Sequence, residues 1–172
     1  MSTPFTRILV PSDFSELSGM ALEFGQELAE RVGASLHLLH VIEDPFAAGA
    51  IPSEVYVPDV PALRAALVTE AEAQLAGLVP DRVRDALRVT IDVKVGKAAS
   101  AICEAAATTP CDLIVMGTHG RTGVAHLFLG SVAEKVVRTA PCPVLTIRGE
   151  TRAREDPLEP VSQTSTLPRV TA

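Results

Sequence analysis

Five short runs rich in aliphatic and β-branched residues punctuate the chain: "RILVP" at 7–11, "SLHLLHVI" at 35–42, "RVTIDVKV" at 88–95, "DLIVMG" at 112–117 and "PVLTIR" at 143–148. Longer stretches with helical spacing separate them, and this alternation restricts the possible folds more than any other feature. Leu17, Met20, Ala21, Phe24, Leu28 and Val32 recur with a period near 3.6, and Gly33 is placed to close that helix. Residues 61–79 repeat the pattern through Leu63, Leu67, Ala71, Leu75 and Leu78. Shorter helices are predicted at 98–107 and 131–139, the second ending before Pro141. Strand, helix, strand in repetition means parallel strands joined by right-handed crossovers. The first, second and fourth runs are almost wholly apolar, as suits strands covered on both faces. The third alternates, with Val89, Ile91, Val93 and Val95 against Arg88, Thr90, Asp92 and Lys94, so it belongs nearer an edge. The expected fold is therefore α/β: a single-domain, open, doubly wound five-stranded parallel sheet with helices on both faces. Sheets of this Rossmann-like kind take ligands beyond the carboxyl ends of their strands.

Composition narrows the ligand. Only 3% of residues are aromatic, and the formal net charge is −6. The first removes a base-stacking platform and the second argues against a phosphate backbone, so no nucleic-acid partner is expected. No apolar run approaches membrane-spanning length, and "MSTPFTRILV" lacks the apolar core of a signal peptide, so no membrane association and a cytoplasmic location are expected. Cys103, Cys111 and Cys142 show no metal-ligand spacing and read as small buried residues.

The stretch "GTHGRTGVAHLFLGS", residues 117–131, is the chemically informative one. It joins the fourth strand to the last helix, where unpaired backbone N–H groups and the helix dipole attract an anion. Glycine at 117, 120 and 130 would let phosphate approach the backbone, Ser131 adds a hydroxyl, and His119 and Arg121 add positive charge. No lysine follows as a Walker loop requires, and the first strand is followed by "PSDFSELS" rather than a dinucleotide fingerprint. What remains is G-x2-G-x9-G-S, formed by Gly117, Gly120, Gly130 and Ser131.

This spacing resembles the ATP-binding motif of the universal stress protein family, and the resemblance extends over residues 5–148. "RILVPSDFSELSGMALEFGQELAERVGASLHLLHVIE" is similar to that family's opening half, and "CDLIVMGTHGRTGVAHLFLGSVAEKVVRTAPCPVLTIR" to its close. The resemblance implies a Rossmann-like domain of the adenine nucleotide alpha hydrolase type over residues 1–148. It also implies ATP as ligand, with Mg2+ as its candidate companion. Pro11, Ser12 and Asp13 would then flank the adenosine end, and Val41 would offer its backbone to adenine. Met116, Gly117, His119, Gly120, Gly130, Ser131 and Val132 would line the ribose and phosphates. One departure stands out: family members that hold ATP well often carry a hydroxyl two positions past the serine, where this chain has Ala133.

Plainer readings compete for several of these residues. Ser131 with Glu134 makes a capping box, and Asp13 with Glu16 makes a helix-entry signal. His37, His40 and His126 read as packing or surface residues. Residues 43–61 form a proline-rich loop on the ligand side, and 149–172 read as a disordered tail. No Ser/His/Asp set, metal cluster or activated cysteine can be assembled, and Asp13 is the only carboxylate placed near phosphate, so no catalytic residue is assigned. The preferred function is an ATP-binding regulatory protein of the stress response. The alternatives are a slow ATP hydrolase using the same pocket, and a nucleotide-free dimeric interaction module. The final strand, 143–148, carries no charge until Arg148, so its open edge needs a cover, and a homodimer through that strand supplies one.

Overall fold

The computed structural model describes residues 5–44, 59–119 and 129–149. The strands are β1 (Arg7–Pro11), β2 (Ser35–Ile42), β3 (Thr90–Val95), β4 (Leu113–Gly117) and β5 (Val144–Ile147). The helices are α1 (Glu16–Val32), α2 (Val60–Gly77), α3 (Asp81–Ala86), α4 (Ala98–Thr108) and α5 (Ser131–Thr139). All strand pairings are parallel, in the order β3-β2-β1-β4-β5. The alternating strand thus lies at one edge and the last strand at the other, as the sequence led us to expect.

The period-two alternation of side chains divides the core between the two faces of the sheet. Ile8, Val10, Leu36, Leu38, Leu113 and Val115 pack under α1 and α2, against Ala21, Leu22, Ala29 and Leu75. Leu9, Leu39, Ile114 and Met116 point the other way, against Ile102, Ala105 and Ala106 of α4 and Ala133 and Val136 of α5. Asp112 ties the amino ends of β1 and β4 together. Its Oδ2 accepts from Thr6 N–H at 2.6 Å, Thr6 Oγ1 at 2.7 Å and Arg7 N–H at 2.9 Å. Those bonds hold its carboxyl below the usual carboxylate range.

Helix ends follow local chemistry, with two corrections. Gly33 closes α1 at φ 72°, the left-handed conformation expected of it. Asp59 opens α2 by accepting from Ala62 N–H at 2.9 Å. Asp13, however, is not the N-cap of α1. Phe14 adopts φ 64°, which turns the chain once more before the helix, and Ser15 becomes the cap, its side chain accepting from Ser18 N–H. Nor does Ser131 cap α5: Gly130 holds that position without a side-chain hydrogen bond, so the Ser131–Glu134 box does not form. The sequence reading also passed over α3, a short helix with no buried residue and hence no apolar period to detect. Residues 45–58 of the long loop and the tail from 150 onward lie outside the described residues.

Cys111 is buried and Cys103 and Cys142 are half-buried, all against the α4/α5 side of the core. Burial pushes the Cys111 thiol up to about 11 and raises that of Cys142, so neither is primed as a nucleophile. Among the described residues no helix is long and apolar enough to cross a membrane.

Two outcomes follow from this packing. A Cβ on Gly25 would sit 2.8 Å from Cγ2 of the buried, β-branched Val10. Gly25→Ala gains about 1 kcal/mol of helix propensity, but overpacking costs about 1–3 kcal/mol, so we expect net destabilisation in urea titrations. His37 is 4% exposed and its Nδ1 has no partner. Burial lowers its pKa from 6.5, with Asp92 opposing and Arg7 and Lys94 adding to the shift. The unfolded chain therefore takes up a proton before the folded one. The stability due to neutral His37 is complete above about pH 6.5 and falls as pH drops toward the folded pKa, by at most about 1.4 kcal/mol per pH unit. Urea midpoints at pH 7.5 and 5.5 should show a smaller loss in His37→Leu than in wild type.

Candidate functional site

The strand order reverses between β2-β1 and β4-β5, because the chain winds one way from β1 to β3 and then crosses back to β4. Loops leaving β1 and β4 therefore diverge to opposite faces of the sheet and leave a crevice at the carboxyl ends. A cavity of about 670 Å3 occupies it, within the range of about 300–1,000 Å3 usual for small-molecule sites.

The residues singled out in the sequence converge on this cavity. Pro11, Ser12 and Asp13 reach it from the end of β1, and Val41 from β2. Met116, Gly117 and His119 come from β4 and its exit, while Gly130, Ser131 and Val132 come from the start of α5. Gly120 lies outside the described residues, as do Arg121, Gly123 and His126.

The turn after β1 is fixed by its own polar groups. Asp13 Oδ1 accepts from Ser15 N–H at 3.1 Å and from Ser15 Oγ at 2.6 Å. Ser12 Oγ lies 3.2 Å from Ser18 Oγ and accepts from Phe14 N–H at the same distance. On the opposite wall Thr118, 3% exposed, joins the two described ends of the glycine segment. Its N–H donates to the Ile147 carbonyl at 2.9 Å and its carbonyl accepts from Gly130 N–H at 2.7 Å. Its hydroxyl lies 3.1 Å from His119 Nδ1.

These contacts give two glycines a reason that the sequence alone did not suggest. A Cβ on Gly130 would press to 3.1 Å from the Thr118 carbonyl, and one on Gly117 to 3.2 Å from Leu17 Cβ. Both positions are tight within the protein itself, whether or not a ligand is present.

The cavity is polarised. Asp13 and Glu43 place carboxylates on its β1–β2 side, and the amino end of α5 places the backbone N–H groups of its first turn on the other, none of which has a partner within the helix. Such a site suits an elongated ligand that is neutral and hydrogen-bonding at one end and anionic at the other. Among the described residues no group of three or more His, Cys, Asp or Glu side chains is arranged to hold a metal ion.

Several lining residues escaped the sequence reading. Ala98 and Ile102 arrive because α4 crosses back over the sheet, and Thr118 because it follows Gly117 out of β4. His40, taken as a packing residue, is buried yet lines the cavity. Only its position at the carboxyl end of the second apolar run could have signalled this.

A family model described as "Universal stress protein family" matches residues 4–148. A universal stress protein of Thermus aquaticus is 36% identical over 151 residues, covering 84% of this chain and 99% of the relative. Universal stress protein MJ0531 of Methanocaldococcus jannaschii is 30% identical over 145 residues, covering 84% and 82%. Among solved structures, that of MJ0577 from the same organism superposes with a TM-score of 0.69 at 26% identity, covering 87% of this chain and 99% of that one.

Proposed function

The chain belongs to the universal stress protein family, and from that premise we propose that its cavity binds an adenine nucleotide as a regulatory ligand. The observation that carries the reading is the polarity of the crevice. Phosphates meet the α5 amino end, where Ser131 and Val132 present backbone N–H groups and the dipole favours negative charge, while the Gly130 N–H stays on the Thr118 carbonyl. The base lies against Val41, and Asp13 accepts from a ribose hydroxyl. Neutral hydroxyls suit the carboxylate side of the cavity, and phosphates would be repelled there.

ATP is the preferred nucleotide. A Mg2+ ion accompanying it would be held chiefly by phosphate oxygens and water, because the described residues offer no ligand cluster of their own. Ala133 is buried in the wall and supplies no hydroxyl, so the phosphates rest on backbone groups and Ser131. The proposed role is binding rather than turnover.

Freshly purified protein should release an adenine nucleotide on denaturation, identified by mass. The clean test of placement is Ser131→Glu. A glutamate in the first turn favours the helix dipole by about 0.3–1 kcal/mol, so the fold should be kept. It repels phosphate, and calorimetry should show ATP weakened about tenfold, or 1.4 kcal/mol, with adenosine little changed. Equal ATP affinity in the two proteins would rule out this placement.

The same reading includes a homodimer through β5. Thr118 N–H donates to the Ile147 carbonyl, so Leu145 and Ile147 turn their backbone groups to β4, and Thr146 turns its own to the open edge. Leu145 and Ile147 also pack on the core, so changing them would damage the fold. Thr146→Pro removes an edge N–H and leaves the β4 ladder intact. Light scattering should find wild type dimeric and Thr146→Pro monomeric. A dimer unaffected by the proline would place the interface elsewhere.

A further inference from the structure

The end of the β1–β2 ladder assigns a role to His40. Pro11 pairs with Leu39, and Ser12 N–H donates to the Leu39 carbonyl at 2.8 Å. Alternate residues of a strand turn their N–H and C=O to the same neighbour. Val41 therefore faces the β1 side as Leu39 does, while Ile42 faces β3 and accepts from Gly96 N–H at 2.9 Å. The next rung of a regular parallel ladder would run from Val41 N–H to the Ser12 carbonyl. His40 occupies that acceptor instead: its Nδ1 lies 2.7 Å from the Ser12 oxygen. A carbonyl can only accept, so Nδ1 carries the hydrogen and donates. No bond from Val41 to Ser12 is made among the described residues.

The ring also braces the turn that follows. His40 is 8% exposed, and its ring meets that of Phe14 with centroids 4.5 Å apart at 38°. Phe14, at φ 64°, holds a conformation unusual for a bulky residue, and such conformations persist only where surrounding contacts enforce them. The imidazole thus satisfies the last carbonyl of the ladder and supports the bend that takes the chain out of the sheet.

We propose that His40 is a positioning residue: it ends the β1–β2 pairing one rung early and reserves the N–H and C=O of Val41 for the base of the bound nucleotide. The second half of this inference rests on the nucleotide reading above; the first half does not. An adenine edge recognised by one N–H and one C=O is matched in donor and acceptor, whereas hypoxanthine puts an acceptor oxygen in place of the amino donor and, on the Watson–Crick edge, a donor N1–H in place of the acceptor N1.

The test uses the full chain and two variants. His40→Phe keeps an aromatic ring against Phe14 and removes the donor, while His40→Asn keeps a donor near the Nδ1 position. In ligand-free protein, hydrogen exchange read by NMR should show the Val41 amide exchanging at least about tenfold faster than that of Leu39. His40→Phe should slow Val41 exchange, and His40→Asn should leave it fast. With nucleotide, His40→Phe should weaken AMP about tenfold and reduce its preference over IMP, and His40→Asn should keep both near wild type. A Val41 amide already protected in wild type overturns the proposal, and that measurement needs no variant to fold. Unchanged AMP affinity and AMP/IMP preference in folded His40→Phe overturns it as well. Wild-type protein that binds neither nucleotide refutes the nucleotide reading and the ligand half of this inference, while the exchange result still decides the ladder.

Discussion

Everything at the site depends on β1 being buried on both faces. Ile8 and Val10 face one pair of helices and Leu9 faces the other, and β1 pairs with β2 on one side and β4 on the other. A strand in that position cannot shift register without turning apolar side chains to the wrong layer. Its carboxyl end is therefore a fixed point, and the loops that follow β1 and β4 must part there. The crevice is a consequence of topology, and the chemistry is added by residues that happen to stand at its rim.

Much of that rim serves the fold as well as the cavity. Thr118 uses both backbone groups to hold the exits of β4 and β5 to the start of α5, and Gly130 must be small for this contact to close. The amino end of α5 is presented to the crevice by the same bonds that secure the helix. On the opposite wall, Asp13 is oriented by Ser15 rather than capping the helix itself. A carboxylate held by a neighbouring hydroxyl and N–H keeps a fixed direction at the crevice wall.

The elements were legible in the sequence to the extent that they carry an apolar period. The five strands and the long helices announced themselves through it, and α3, which buries no residue, did not. The glycine segment was legible as a strand exit leading to a helix entry, and its described ends line the crevice. The amino-terminal caps of α1 and α5 were misread because capping depends on backbone angles. Phe14 in the left-handed region moved the cap of α1 to Ser15, and the start of α5 fell at Gly130 with no side chain to contribute.

What the sequence by itself determined was the class of fold, the edge positions of β3 and β5, and a set of residues at strand ends and one helix entry. Apolar period, strand ends and glycine spacing are properties of chain order, so reading along the chain suffices for them. What only the tertiary structure decided was which residues share a wall. Ala98 and Ile102 enter the crevice because a crossover carries α4 back over the sheet, and Gly117 is small because α1 passes beside it at Leu17. His40 gains its role because a ladder rung between two strands remote in sequence is taken by a side chain. Each of these is a contact made across the fold, and its partner cannot be read from the residues on either side of it.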